Sequence, residues 1–157
     1  MAASTPVSRE LRRVRVSFDE NVKQESVLAM DDALRRKADE ALLLTTDGKI
    51  AESTRSNIFW VRKSAIYTPA LSTGVLPGIT RARAISLSRA MGFSVKEIVA
   101  PRRALDGADE IFYTNTSSWA MPVTRLDGRR VGNGKMGPVT RLVLTAFRVH
   151  YAREARR

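Results

Sequence analysis

The order of apolar and polar positions along the 157-residue chain switches repeatedly between the two-residue period of strands and the longer period of helices. Met1–Ser8 is small and polar and reads as a mobile terminus. Alternating arginine and valine over Arg13–Ser17 predicts a short edge strand with its arginines facing water. Gln24 to Lys37 predicts a helix, capped by Asn21 or Ser26, with Val27, Leu28, Met30 and Leu34 as its inner face. Ala41–Leu44 is a buried-type strand, Asp47-Gly48 a hairpin turn, and Ile50 opens the return strand. Asn57–Val61 and Ala65–Thr68 are strands joined by the polar turn Arg62-Lys63-Ser64. Leu71–Gly78 is loop.

Helical spacing returns over Ile79–Met91, with Ile79, Ala82, Ile85, Leu87 and Met91 on one side and Gly92 to end it. Phe93–Ala100, Ile111–Thr116 and Met121–Leu126 are strands, the last closed by an Asp127-Gly128 hairpin. Arg103–Ala108 is a short helical turn. Gly132–Pro138 is a glycine-rich loop. Pro138–Glu154 is the final helix, with Val139, Leu142, Val143, Ala146 and Val149 inward. Hairpins alternate with crossovers, which gives an α/β class with a mixed sheet rather than a doubly wound parallel one.

Composition narrows the chemistry. The chain has no cysteine and one histidine, His150, so disulfides, thiolate metal sites and cysteine nucleophiles are excluded and no metal site is expected. No apolar run reaches the roughly 18 residues of a membrane span, and no apolar segment follows Met1, so the expected compartment is the cytoplasm. The net charge of +11 invites a nucleic-acid reading. However, the basic residues are scattered as short pairs, only 6% of residues are aromatic, and no recognition motif interleaves the two; nucleic acid is therefore disfavoured as a partner.

Three segments could carry chemistry: Glu52–Asn57, Leu76–Arg81 and Thr114–Ser118, each at the end of a strand or helix. Gly78-Ile79-Thr80 sits where loop becomes helix, so free backbone N–H groups, the helix dipole and the Thr80 hydroxyl could hold an anion. An ordinary helix entry explains the same residues. Thr114, Thr116, Ser117 and Ser118 form a hydroxyl-rich strand end that could donate to oxyanions or satisfy its own backbone. Glu52, flanked by apolar residues, reads either as a solvated acid or as a site carboxylate.

From Asp39 to about Arg148 the segments ADEALLL, DGKIAESTRSNIF, IYTPA, GVLPGITR, ADEIFYTNT, MPV with LDG, and GPVTR occur in order. In that order and spacing the chain resembles the large C-terminal domain of the class IV (fold type IV) pyridoxal-phosphate enzymes. These include branched-chain aminotransferases, D-amino acid aminotransferases and aminodeoxychorismate lyases. The resemblance implies a mixed-sheet pseudo-barrel with flanking helices over residues 18–157, preceded by an extension over 1–17. It implies pyridoxal 5'-phosphate as cofactor, an amino acid and a keto acid as substrates, and a homodimer. Glu52 matches the acid that bonds the pyridine nitrogen, and Asn57 the asparagine that braces the following loop. Gly78, Ile79, Thr80 and Thr116 match the phosphate-binding positions. Ser117 and Ser118 match positions whose backbone N–H groups meet the substrate carboxylate.

Two features depart from the family pattern. Its smaller N-terminal domain, which supplies a phosphate-binding arginine, finds no counterpart before Lys23 and is expected to be absent. Ungapped alignment places Asp19 where the family has its cofactor-bonding lysine, while Lys23 lies one helical turn further on. Lys23 is thus the candidate catalytic lysine. The expected reaction is transamination, branched-chain-type first. An aminodeoxychorismate lyase-like enzyme and a non-catalytic fragment of the fold are the alternatives.

Overall fold

Strand after strand in this chain is buried on both faces, because one face lines a closed interior and the other lies under helices. The computed structural model describes residues 9–15, 22–35 and 37–156, with side chains from residue 27 onward. The strands are β1 (Arg9–Arg15), β2 (Glu40–Leu44), β3 (Ile50–Ser53), β4 (Asn57–Arg62), β5 (Ala65–Pro69), β6 (Val95–Ile98), β7 (Glu110–Thr114), β8 (Met121–Leu126) and β9 (Arg129–Arg130). The helices are α1 (Val22–Arg35), α2 (Ile79–Ala90) and α3 (Pro138–Glu154).

The sheet runs β3-β2-β1-β8-β7-β4-β5-β6, with β9 on β8. Its ends meet: just past β6, the Ala100 carbonyl accepts from the Ile50 amide of β3 at 2.8 Å, and Lys49 bridges Pro101. The mixed sheet therefore curls into the expected pseudo-barrel. Leu42, Leu44, Ile58, Trp60, Ile111, Tyr113 and Val123 fill its interior. The alternate residues Phe59, Val61, Ile66 and Phe112 face outward under α2 and α3. Ala41 and Leu43 meet Ala29 and Ala33 of α1, small residues that let helix and strand approach closely.

The helices sit where helical spacing places them, but their buried faces are rotated. In α2 the buried residues are Thr80, Arg81, Ala84, Ile85 and Ser88, while Ile79 is 82% exposed and Met91 is also exposed. Arg81 turns inward because its Nη2 donates to the Pro69 carbonyl at 2.9 Å and to Glu97 at 2.8 Å. In α1, Val27, Leu28 and Leu34 are exposed and Ala29 and Ala33 are buried. In α3, Val139, Val143 and Phe147 are buried, with Leu142 and Val149 exposed. Hydrophobicity misjudges each face because the close contacts are made by small or polar-but-paired residues.

Other boundaries shift. β1 spans Arg9–Arg15 and is not an edge strand: it pairs in parallel with both β2 and β8. Ser26 lies inside α1 and cannot cap it, while Asn21, Val16, Ser17 and Met1–Ser8 lie outside the described residues. β7 ends at Thr114 instead of Thr116, since Thr116–Ser118 form turns. The hairpins at Asp47-Gly48 and Asp127-Gly128 form as expected.

The β4–β5 hairpin turns on Lys63 and Ser64, at φ 49° and 62°, a left-handed pair that favours Asn-Gly. Ser64→Gly should therefore stabilise the fold by about 1 kcal/mol, relieving left-handed backbone strain. That gain corresponds to roughly 2–4 °C in Tm for a chain of this size. A thermal melt with no gain would show that the turn carries no strain.

Candidate functional site

Four neighbouring pieces of backbone converge at one end of the barrel. Asn57 opens β4 directly opposite Thr114, which closes β7. The β3–β4 turn brings Glu52 beside them, and the chain entering α2 at Gly78 lies across. Between them is a cleft of about 210 Å³. All three segments singled out from the sequence line it.

Glu52 is the acid of this cleft and is 6% exposed. Its Oε2 accepts from Asn57 Nδ2 at 3.2 Å and from the Leu76 amide at 3.1 Å. Burial pushes its pKa up to about 7, against the lowering effect of the Leu76 N–H. Among the described residues nothing donates to Oε1. The acid is therefore positioned but under-compensated, and a cationic N–H donor entering the cleft would restore its charge.

Asn57 ties the acid to the opposite wall, since Nδ2 also donates to the Leu76 carbonyl at 3.0 Å. Its Oδ1 leaves no space at Gly78, where a Cβ would stand 2.3 Å away. Glycine is required here by close approach rather than by φ, which is an ordinary −60°. Gly78 caps α2 without a side-chain hydrogen bond, so the first-turn N–H groups stay available to an anion. Thr80 is buried at this turn, and Ile79 is exposed at the cleft mouth.

Glu52, Asn57, Gly78, Ile79, Thr80 and Thr116 are thus brought together around the cleft. Ser117 and Ser118 are not among its lining residues, and the Ser118 amide donates to Asn115 Oδ1 at 2.8 Å. In this conformation that amide is committed to its own turn. Lys23 lies in the first turn of α1 and its side chain is outside the described residues.

Two cleft residues, Leu76 and Arg55, carry no individual role in the sequence, and a third, Thr114, stands there only as one of a run of hydroxyls. The Leu76 backbone grips Glu52 and Asn57, which no side-chain pattern reveals. Arg55 is the one cation among the lining residues. Thr114 is buried with its hydroxyl unpartnered, although it stands in the hydroxyl-rich run; its register opposite Asn57 is the distinguishing signal. Among the described residues no helix is long and apolar enough to cross a membrane.

The amino-transferase class IV family matches residues 20–126. The branched-chain-amino-acid aminotransferase of Salmonella typhimurium is 38% identical over 122 residues, covering 78% of this chain and 40% of that protein. The D-alanine aminotransferase of Bacillus licheniformis is 36% identical over 118 residues, covering 73% of this chain and 42% of its own length. Among solved structures, Escherichia coli branched-chain amino acid aminotransferase superposes with a TM-score of 0.87 at 29% identity, over 95% of this chain and 54% of that one. The T.th. branched-chain amino acid aminotransferase with pyridoxamine 5'-phosphate gives 0.82 at 32% identity, over 89% and 50%. The chain spans about two fifths of the length of these curated relatives.

Proposed function

This chain belongs to the amino-transferase class IV family, and on that premise we propose that it binds pyridoxal 5'-phosphate in the Glu52 cleft and serves transamination between an amino acid and a keto acid, branched-chain-type. The observation that carries the reading is Glu52, buried and held through one oxygen by Asn57 and Leu76, across from the uncapped start of α2. The residues present fit the cofactor. An under-compensated carboxylate suits a protonated pyridine nitrogen, and the α2 N-terminus with Thr80 suits a phosphate dianion. The unpartnered Thr114 hydroxyl has capacity for one more polar group.

When bound, the cofactor supplies an electron sink for the substrate α-carbon. Glu52 keeps negative charge at the ring nitrogen, and its two protein N–H donors fix where that charge sits. Asn57 couples the acid to the phosphate wall through Leu76, so the spacing of the two cofactor-binding ends is set by one side chain. Thr116, at the mouth, adds a hydroxyl to the phosphate. Lys23 is the lysine assigned to take and return the α-proton, a role open to an amine whose pKa a neighbouring cation lowers. Ser117 and Ser118 are assigned to the substrate carboxylate, which requires the Ser118 amide to leave Asn115. A homodimer and a cytoplasmic location complete the reading.

The test is an absorbance titration of the purified protein with pyridoxal phosphate, followed by borohydride reduction and peptide mapping. A saturable spectral shift with one labelled peptide at Lys23 is expected. Labels scattered over Lys49, Lys63, Lys96 and Lys135 would overturn the lysine assignment and favour a fragment without dedicated chemistry. The 157 residues alone are expected to bind the cofactor weakly, because their phosphate contacts rest on one helix start and two hydroxyls.

Thr80→Ala and Thr116→Ala each remove one such donor. A hydrogen bond to a charged group contributes about 1.5–3 kcal/mol, so each should weaken cofactor binding about tenfold or more. Inorganic phosphate should compete with the cofactor. Calorimetry showing both variants equal to the parent would move the phosphate elsewhere.

A further inference from the structure

We propose that the groove beside the β8–β9 hairpin is a second anion site, separate from the Glu52 cleft, built for a ligand with closely spaced phosphate groups. The groove has a volume of about 500 Å³ and shares no lining residue with the cleft. Lys37, Arg125, Arg130 and Lys135 line it against one carboxylate, Asp39.

The strand register carries the argument. Arg125 of β8 and Arg130 of β9 are directly paired across the antiparallel ladder. Like charges opposite one another on a sheet destabilise it; β1 sets Glu10 in register on the other side of Arg125, so the conflict in this hairpin falls on Arg130, on the outer strand. Such conflicts mark functional positions. The surroundings hold the two cations in place. Arg125 Nη1 donates to the Gly128 carbonyl at 3.1 Å, which lays its guanidinium over the hairpin turn. Arg130 runs across Gly134, where an added Cβ would stand 3.3 Å from its Cδ. Gly134 also has φ 76°, so the loop is shaped for glycine twice over. Asn133 Oδ1 accepts from the Lys135 amide at 3.0 Å and orders the rim on which Lys135 stands.

Among the described residues a single carboxylate lines the groove against four cations, which leaves most of this charge uncompensated. Adjacent phosphates match two guanidinium forks and two ammonium groups, because each fork can grip an oxyanion through paired N–H donors. The same chemistry is offered by a free di- or triphosphate and by a nucleic-acid backbone. The site is exposed, so its affinity falls with salt.

The experiment is calorimetric titration of the full chain with sodium tripolyphosphate, with excess pyridoxal phosphate present to occupy the cleft. Saturable binding that weakens as salt rises is expected. Arg130→Glu should lower the affinity at least tenfold while raising the melting midpoint of the free protein, because a repulsive cross-strand pair becomes attractive. Arg130→Gln should lower affinity less. Thr80→Ala should leave tripolyphosphate binding unchanged, which separates this site from the cleft and keeps the result independent of the cofactor assignment. A short single-stranded oligonucleotide that competes through Arg130 assigns the groove to polymer phosphates; retained tripolyphosphate binding without that competition assigns it to a free polyphosphate. Arg130→Glu binding like the parent, no binding by the parent, or loss of binding in Thr80→Ala would overturn the site.

Discussion

Glu52→Gln is expected to make the free protein more stable and cofactor binding much weaker. In the folded chain burial raises the Glu52 pKa to about 7 from the usual 4.5. The folded state thus holds a proton that the unfolded state has released between these pH values. Stability then falls as pH rises from 4.5 towards 7 and stays lower above it. At about 1.4 kcal/mol per unit, the penalty above pH 7 is at most about 3–4 kcal/mol. The amide of the Glu52→Gln variant carries no charge, keeps an oxygen for the Leu76 N–H, and loses this pH dependence. Melts at about pH 8 should show a gain of several degrees, shrinking to nothing near pH 4.5. The cost falls on binding, because an amide cannot sustain a pyridinium as a carboxylate does. Loss of a charge-assisted bond of about 1.5–3 kcal/mol weakens the cofactor about tenfold to a hundredfold, and half-transamination falls by orders of magnitude. A variant that binds and reacts like the parent would remove Glu52 from the site.

How far the sequence leads can be read from individual residues. Glu52, Asn57, Gly78 and Thr80 are identified by motif, and the structure gathers them around one cleft. The motif is dense there because the spacing of acid, brace and helix start is geometrically constrained. Gly78 shows the constraint directly, since its missing side chain is the space that Asn57 occupies. The hairpin turns are legible because Asp-Gly pairs carry their own conformational preference. The helix faces are not. Hydrophobic spacing favours Leu28 and Ile79, whereas Ala29, Ala33 and the paired guanidinium of Arg81 make the close contacts. Alternating arginines and valines suggest an edge strand for β1, yet a barrel leaves few edges and β1 is paired on both sides. Such pairing depends on residues far away in the chain, which local pattern does not report.

The same distance effect hides what fixes the last helix, and it yields the largest expected loss of stability. GPVTR and ADEIF read as two separate motifs, but they meet in the structure. Glu110 of β7 is buried and reaches the start of α3, accepting from the Val139 amide at 2.9 Å, the Thr140 amide at 2.8 Å and the Thr140 hydroxyl at 2.6 Å. A carboxylate on a helix N-terminus gains from both the free N–H groups and the dipole. Gly137 makes the approach possible, because a Cβ there would stand 2.0 Å from the Glu110 carboxyl carbon. Its backbone, at φ −78° and ψ 170°, is open to alanine, so any effect of Gly137→Ala comes from lost space. That substitution should displace the carboxylate, leave buried donors unpaired and cost about 3 kcal/mol or more. The matching drop in Tm is roughly 6–12 °C. Glu110→Ala should cost a similar amount. Because the clash of Gly137→Ala is with the Glu110 side chain itself, the double variant should lose little more than Glu110→Ala alone, a strong coupling between touching residues. Denaturant melts of the four proteins give the cycle. Additive losses would mean that Gly137 and Glu110 stabilise α3 independently.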